Sequence, residues 1–308
     1  MKNLIVSLFF LSMLLVFGSC GKSADLDANG IPGKLVVALY GSDDPGALRG
    51  AIKPFQQYLE KKLGMPVEFI YTTDYTSVIE ALRSKKTHIA YLSPFSYVLA
   101  SQTHDITPII TTGVDGKQSM YHSTIFTSIH SGINSIADLK ARAKNITLCF
   151  ADPASTSGHL IPRAYLTTIG LNPDNNVFKE TIFAGNHVAS VLSVTSDKVD
   201  VGCAATEFGL EIAERKGLVK KDQIRVLWQS EPIVGSPIVA RNDLNKDFVK
   251  KIQNLYLNLA KDEPGIFLPY MKLLHPNPER YSYLTIQDSM YNGIRKIASG
   301  IKDLSVIK

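Results

Sequence analysis

From Lys34 onward the chain alternates short apolar runs with stretches whose apolar residues recur every three or four positions. The run Leu35-Val36-Val37-Ala38-Leu39 predicts a buried strand, and a polar turn over residues 41–45 follows it. Leu48, Ile52, Phe55, Leu59 and Leu63 then share one helical face, and Gly64 ends that helix. Residues 67–71 predict a second strand, 76–84 a short helix and 89–92 a third strand. This β-α-β-α-β succession predicts a parallel sheet with helices on both faces.

A second αβ unit begins after the turn at 113–119. Its strands are predicted near 123–129, 146–150, 178–183 and 199–204, and its helices near 136–143, 158–169, 188–196 and 207–216. Residues 225–228 and 237–240 read as strands returning to the first unit. The tail is mostly helical, over 246–260, 265–274 and 286–300. No repeat of solenoid length is present. The simplest architecture is α/β with two lobes, the chain crossing between them twice and leaving a cleft.

Composition narrows the class. A length of 308 residues suits about two domains. With 45% hydrophobic and 20% charged residues, the chain can bury sizeable cores and is not disordered. The formal net charge is +5 and no block of five or six like charges occurs, which excludes nucleic-acid binding through a basic tail. Collagenous and coiled-coil architectures are excluded as well.

The N-terminus reads as an address. Lys2 precedes an apolar stretch over 4–17 interrupted only by Ser7 and Ser12, too short for a comfortable span of about 20 residues. Val16-Phe17-Gly18-Ser19-Cys20 resembles a bacterial lipobox, with Phe17 standing where a small or aliphatic residue is usual. On this reading residues 1–19 are a lipoprotein signal peptide, Cys20 carries the lipid and 20–33 form a polar tether. A stop-transfer anchor and a plain signal peptide are the alternatives. Cys149 and Cys203 then remain, and both a single bridge and two buried thiols fit them. With no CxxC and no third sulfur, they are no zinc site, and nothing in the sequence implies a metal or cofactor.

Ligands of open α/β sheets sit beyond the C-terminal ends of strands. Directly after the strand at 146–150 comes Asp152-Pro153-Ala154-Ser155-Thr156-Ser157-Gly158-His159, at the start of a helical pattern. First-turn N–H groups lack partners and the helix dipole is positive there, so the site favours an oxyanion without a buried Lys or Arg. An N-cap alone needs one hydroxyl, and three stand in a row. Gly185-Asn186-His187 and Glu207 follow other strands, while Tyr75 and Tyr121 add phenol donors. Taken singly, His187 also fits a cap or the surface, and Glu207 a solvated first-turn acid.

Together these stretches resemble the phosphate/phosphite/phosphonate substrate-binding proteins of ABC transporters, which have a type II periplasmic-binding fold. The resemblance runs almost end to end: FQQYLEKKLGMP at 55–66, Asp74-Tyr75, IAYLSPFSYVLA at 89–100, DPASTSG at 152–158, Gly185-Asn186-His187, Val199-Asp200-Val201 and VLWQSEPIVGSP at 226–237. It implies two open α/β domains joined by a double-crossover hinge, lobe 1 from 34–118 plus 233–308 and lobe 2 from 119–232. It places Ser155, Thr156 and Ser157 on the ligand's phosphoryl oxygens, with Tyr75, Tyr121 and His187 as further cleft residues. Glu207 matches an acid that holds the ammonium of aminoalkylphosphonates. Ser236 stands where such binders carry a second acid, which favours phosphate, phosphite or a small alkylphosphonate. A carboxylate at Glu207 is then expected to accept from a ligand P–OH and so discriminate against sulfate.

The function implied is an extracytoplasmic, lipid-anchored, monomeric receptor that closes on a phosphorus oxyanion and presents it to ABC permease subunits. A sensory receptor of the same fold is the alternative. A Ser/His hydrolase would use Ser155 or Ser157 with His187 and Glu207, but GxSxG and metal-ligand sets such as HExxH are absent. Trp228, at the second crossing, reads either as a reporter of closure or as core.

Overall fold

A computed structural model describes residues 26–40 and 45–301. The signal segment, Cys20, the first part of the tether and most of the 41–45 turn lie outside the described residues. In chain order the elements begin with β1 (Leu35–Tyr40), α1 (Pro45–Leu63), β2 (Val67–Thr72), α2 (Tyr75–Arg83), β3 (Ile89–Tyr91), α3 (Pro94–Thr103) and β4 (Ile106–Val114). There follow β5 (Lys117–Gln118), β6 (Met120–Tyr121), β7 (Ser123–Ser128), α4 (Ile136–Arg142), β8 (Thr147–Phe150), α5 (Ile161–Thr168), β9 (Glu180–Phe183) and α6 (His187–Thr195). The chain continues through β10 (Val201–Ala205), α7 (Glu211–Arg215), β11 (Ile224–Gln229), β12 (Ile233–Val234) and β13 (Pro237–Arg241). Last come α8 (Lys246–Asp262), α9 (Pro264–Leu274), β14 (Tyr281–Leu284) and α10 (Asn292–Ser299).

These strands form two mixed sheets. One has the order β14-β4-β13-β3-β1-β2, with β5 paired to β4; the other runs β11-β7-β10-β8-β9. Between them β6 and β12 make a two-stranded antiparallel ladder, Tyr121 opposite Ile233 and Met120 opposite Val234. The two segments that connect the sheets are thus hydrogen-bonded to each other.

Period-2 alternation sends side chains to opposite faces of each sheet. In β1, Leu35, Val37 and Leu39 enter the core made with α1, α8 and α9, whereas Ala38 enters that of α2, α3 and α10. In β8, Leu148 and Phe150 pack against α4 and α5, and Cys149 packs against α6 and α7. The α2–α3 core also takes in Ala154 and Leu160 from the loop after β8 and Ala205 from the end of β10, so apolar packing continues across the junction.

Several expectations are corrected. The 225–228 strand was expected to return to the first unit, but β11 pairs with β7 in the second sheet; only β13 returns. The first sheet is parallel across β2, β1 and β3 and antiparallel beyond. Helix α3 escapes a periodicity reading because it is apolar on most sides, with Phe95, Tyr97, Val98 and Ala100 all buried. Strand β4 is disguised by Pro108, which sits where the register with β13 slips between Ile238 and Val239, a bulge that tolerates proline. The expected 286–300 helix is confined to Asn292–Ser299, preceded by β14 and a 3₁₀ turn. Cys149 and Cys203 are buried free thiols on neighbouring strands. Among the described residues no helix is long and apolar enough to cross a membrane.

Candidate functional site

Strand β8 delivers the chain into a tight loop. Asp152 Oδ1 accepts from the Ala154 N–H at 2.7 Å, its carboxylate also accepts from the backbone of Tyr75, and burial raises the carboxyl to about 6. Ser155 then caps a π-type turn over Thr156–Leu160 that runs into α5, its Oγ accepting the Gly158 N–H at 3.0 Å. A Cβ on Gly158 would stand 2.4 Å from Ala151 Cβ and 3.0 Å from both Ser155 Oγ and His187 Cε1, so only glycine lets these groups approach. First-turn N–H groups have no intrahelical acceptor, and here they come with buried hydroxyls of Thr156 and Ser157.

The β9–α6 turn supplies the histidine. Asn186 caps α6 by accepting the Ala189 N–H at 2.7 Å, and His187 is the first helical residue. His187 Nδ1 accepts the Ala205 N–H at 3.1 Å. In the neutral ring the proton is therefore on Nε2, which lies 3.5 Å from Ser155 Oγ. Burial lowers this imidazole to about 4, so at neutral pH it presents a neutral N–H donor.

The first sheet contributes the opposite wall. Ser93 caps α3 with Pro94 at its first position; Ser93 Oγ donates to the Ala154 carbonyl at 3.1 Å. The Phe95 N–H donates to Thr156 Oγ1 at 2.8 Å. Tyr75, at the start of α2, stacks on Tyr40 with ring centroids 4.1 Å apart. Burial pushes the phenols of Tyr75 and Tyr121 up, so both remain protonated donors.

One cavity of about 120 Å³ collects Ser155, Thr156, Ser157, Tyr75, Tyr121, His187 and Ser236. It has room for several waters or a small anion with a substituent. No described residue on its wall carries a charge at neutral pH. The polar side chains on it are hydroxyls, the Asn186 amide and the His187 imidazole.

Glu207 is not brought into this cavity. It lines a smaller one beside it, shared with Tyr121 and Ser236, and both of its oxygens are engaged. Oε2 accepts the His122 N–H at 2.9 Å and Oε1 meets His122 Nδ1 at 2.8 Å. A carboxylate oxygen accepts more than one hydrogen bond, so each keeps room for a further donor. Sequence reasoning missed Ser93, Tyr91, Phe208 and Tyr270, which line the main cavity. A signal existed for Ser93: Ser-Pro directly after a strand marks a helix start. The other three come from elements whose placement only the fold defines. Trp228 stacks on Tyr165 at 4.1 Å, half-buried at the edge of the second sheet.

Comparison with known proteins matches residues 37–269 to the family described as ABC transporter, phosphonate, periplasmic substrate-binding protein. The chain is 26% identical over 290 residues to the phosphate-import protein PhnD of Mycolicibacterium smegmatis, covering 90% of this chain and 88% of that protein. It is 34% identical over 209 residues to the phosphonates-binding periplasmic protein of Escherichia coli, covering 68% of this chain and 61% of that one. The structure of PhnD1 from Prochlorococcus marinus in complex with methylphosphonate shares the fold, with a TM-score of 0.74 at 22% identity over 87% of this chain and 98% of that chain.

Proposed function

The chain belongs to the periplasmic phosphonate substrate-binding family of ABC transporters, and from that premise we propose that it captures a phosphorus oxyanion between its two sheets for import. The observation that carries this reading is the convergence of the Ser155–Ser157 turn and His187 Nε2 on one cavity whose described walls carry no charge. Ser155, Thr156 and Ser157 hold the phosphoryl oxygens with hydroxyl and first-turn N–H groups. His187, Tyr75 and Tyr121 donate to the oxygens that face away from the turn. Relatives named for phosphate import and for phosphonate binding, and a fold neighbour holding methylphosphonate, support a phosphorus ligand.

The lobes are residues 34–118 with 233–308, and 119–232. They move about the β6–β12 ladder, and closure buries the ligand and creates the surface a permease recognises. Cys20 holds the receptor to the membrane through lipid; a Cys20→Ala chain is then recovered away from the membrane fraction. Hydrolysis finds no support in the geometry: His187 Nδ1 is occupied by the Ala205 N–H, and among the described residues no carboxylate bonds to the ring.

Calorimetric titration of the ligand-stripped protein with phosphate, phosphite, methylphosphonate and sulfate tests the reading. Saturable binding of a phosphorus anion without turnover agrees with it. Absence of binding by every phosphorus anion refutes it.

A further inference from the structure

The main cavity is mixed in character. Its wall carries hydroxyl and imidazole donors on Ser155, Thr156, Ser157, His187, Tyr75 and Tyr121. The same wall also carries Leu39, Leu48, Phe208, Ile212, Leu274 and the ring of Tyr270. Beyond that wall lies a second cavity of about 30 Å³, set between β1, α1 and α9. The two share Leu39, Tyr91, Phe208, Ser236, Tyr270 and Leu274 as common lining, and the second continues past Ile52, Phe69 and Met271. Leu39, Phe208, Leu274 and the rings of Tyr91 and Tyr270 therefore form a largely apolar gallery along the common wall, with Ser236 its one hydroxyl side chain besides the phenols.

This arrangement suits one kind of ligand. A bare tetrahedral oxyanion carries acceptor oxygens on every side, and those facing Leu39 or Leu274 would lose water without gaining a donor. A phosphoryl head with one apolar substituent directs its oxygens to the donors and its carbon chain to the gallery. An ammonium on that chain would meet no carboxylate on the described walls of either cavity. Glu207, which lines the neighbouring cavity, meets His122 with both oxygens. His275, which lines the second cavity, is stacked on Tyr281 with centroids 3.7 Å apart and adds no anchoring anion.

We propose that the preferred ligand is an organophosphonate whose substituent is an uncharged apolar chain longer than methyl, seated between Leu39, Phe208, Tyr270 and Leu274. The inference rests on the oxyanion-receptor reading above and adds the chemistry of the substituent. The gain from a longer chain is non-directional burial of apolar surface, roughly fourfold in affinity per methylene, which corresponds to about 0.8 kcal/mol for each buried CH₂.

The test is competitive titration of the ligand-stripped full chain with methyl-, n-propyl-, n-butyl- and 2-aminoethylphosphonate. Propyl- and 2-aminoethylphosphonate have the same shape and differ in the terminal charge. The expected result is n-butyl over methyl by tenfold or more, and n-propyl over 2-aminoethyl by a similar factor. Leu274→Trp, which fills the shared wall, should compress the butyl-to-methyl ratio toward one, and Leu274→Phe offers a milder filling if the tryptophan chain does not fold. Binding of methylphosphonate with no gain from a longer chain, or a preference for 2-aminoethylphosphonate, overturns the gallery while leaving the receptor reading intact. Binding of no phosphonate or phosphate overturns both.

Discussion

The backbone N–H of Phe95 donates to Thr156 Oγ1 at 2.8 Å, joining two helix starts that belong to different sheets. One is the Ser93-capped start of α3 and the other the Ser155-capped π-turn before α5. Ser93 Oγ reinforces the junction by donating to the Ala154 carbonyl. The cavity thus lies beside helix starts from both sheets, joined by a side chain of the loop that would bind the anion.

Thr156→Val keeps the shape but removes the acceptor, leaving the buried Phe95 N–H without its partner. Stability is expected to fall by about 1–3 kcal/mol in denaturant unfolding. Thr156→Ser, which restores an acceptor, should recover most of the loss. Equal stability of the valine chain and the native one would show that the bond holds nothing.

Gly158→Ala inserts a methyl group where Ala151 Cβ, Ser155 Oγ and His187 Cε1 already stand within 2.4–3.0 Å. Neither the Ala151 methyl nor the turn backbone can swing away, so the Ser155–His187 spacing must open. Overpacking of this kind costs about 1–3 kcal/mol. Affinity for methylphosphonate should drop by an order of magnitude or more, measured calorimetrically.

Much of this site could be read in the chain, because its parts are local. DPASTSG after an apolar strand marks an anion-favouring helix start, and Gly185-Asn186-His187 marks a capped one; the structure brings both to one cavity. What could not be read depends on tertiary placement. The partner of Glu207 is His122, 85 positions away, and no spacing rule reveals such a pairing. Strand β11 lies on the second sheet because its partner is β7, and its own sequence serves either sheet equally well. Tyr270 and Leu274 read as ordinary amphipathic-helix residues until α9 is docked beside β1.

Stability should depend on pH through the buried imidazoles. His159 and His187 are lowered by burial to about 4 and His275 to about 3, whereas in the unfolded chain they titrate near 6.5. Groups lowered on folding contribute stability that is complete above the unfolded value and is lost as pH falls from 6.5 through 4. Asp152, raised to about 6, acts in the opposite sense, since the folded state takes up its proton first. Three depressed histidines outweigh one raised acid, so the melting temperature should fall between pH 6.5 and 4.5. His187→Gln should make that decline shallower; an unchanged slope would show that this ring is not held neutral by the fold.

Glu207→Gln tests the role of that carboxylate. Since both oxygens are engaged by His122 beside the main cavity, the substitution should leave the preference for phosphate over sulfate within about threefold of the native value. The measurement is paired calorimetry with the two anions. A loss of preference of tenfold or more would place Glu207 on the ligand.

The most direct test of the account is a crystal structure of the methylphosphonate complex. It should show the phosphoryl oxygens within hydrogen-bonding distance of Ser155, Thr156, Ser157 and His187 Nε2, and the methyl group turned toward Leu39 and Leu274. A ligand held elsewhere, or one whose methyl group faces the Ser155–Ser157 turn, would contradict it.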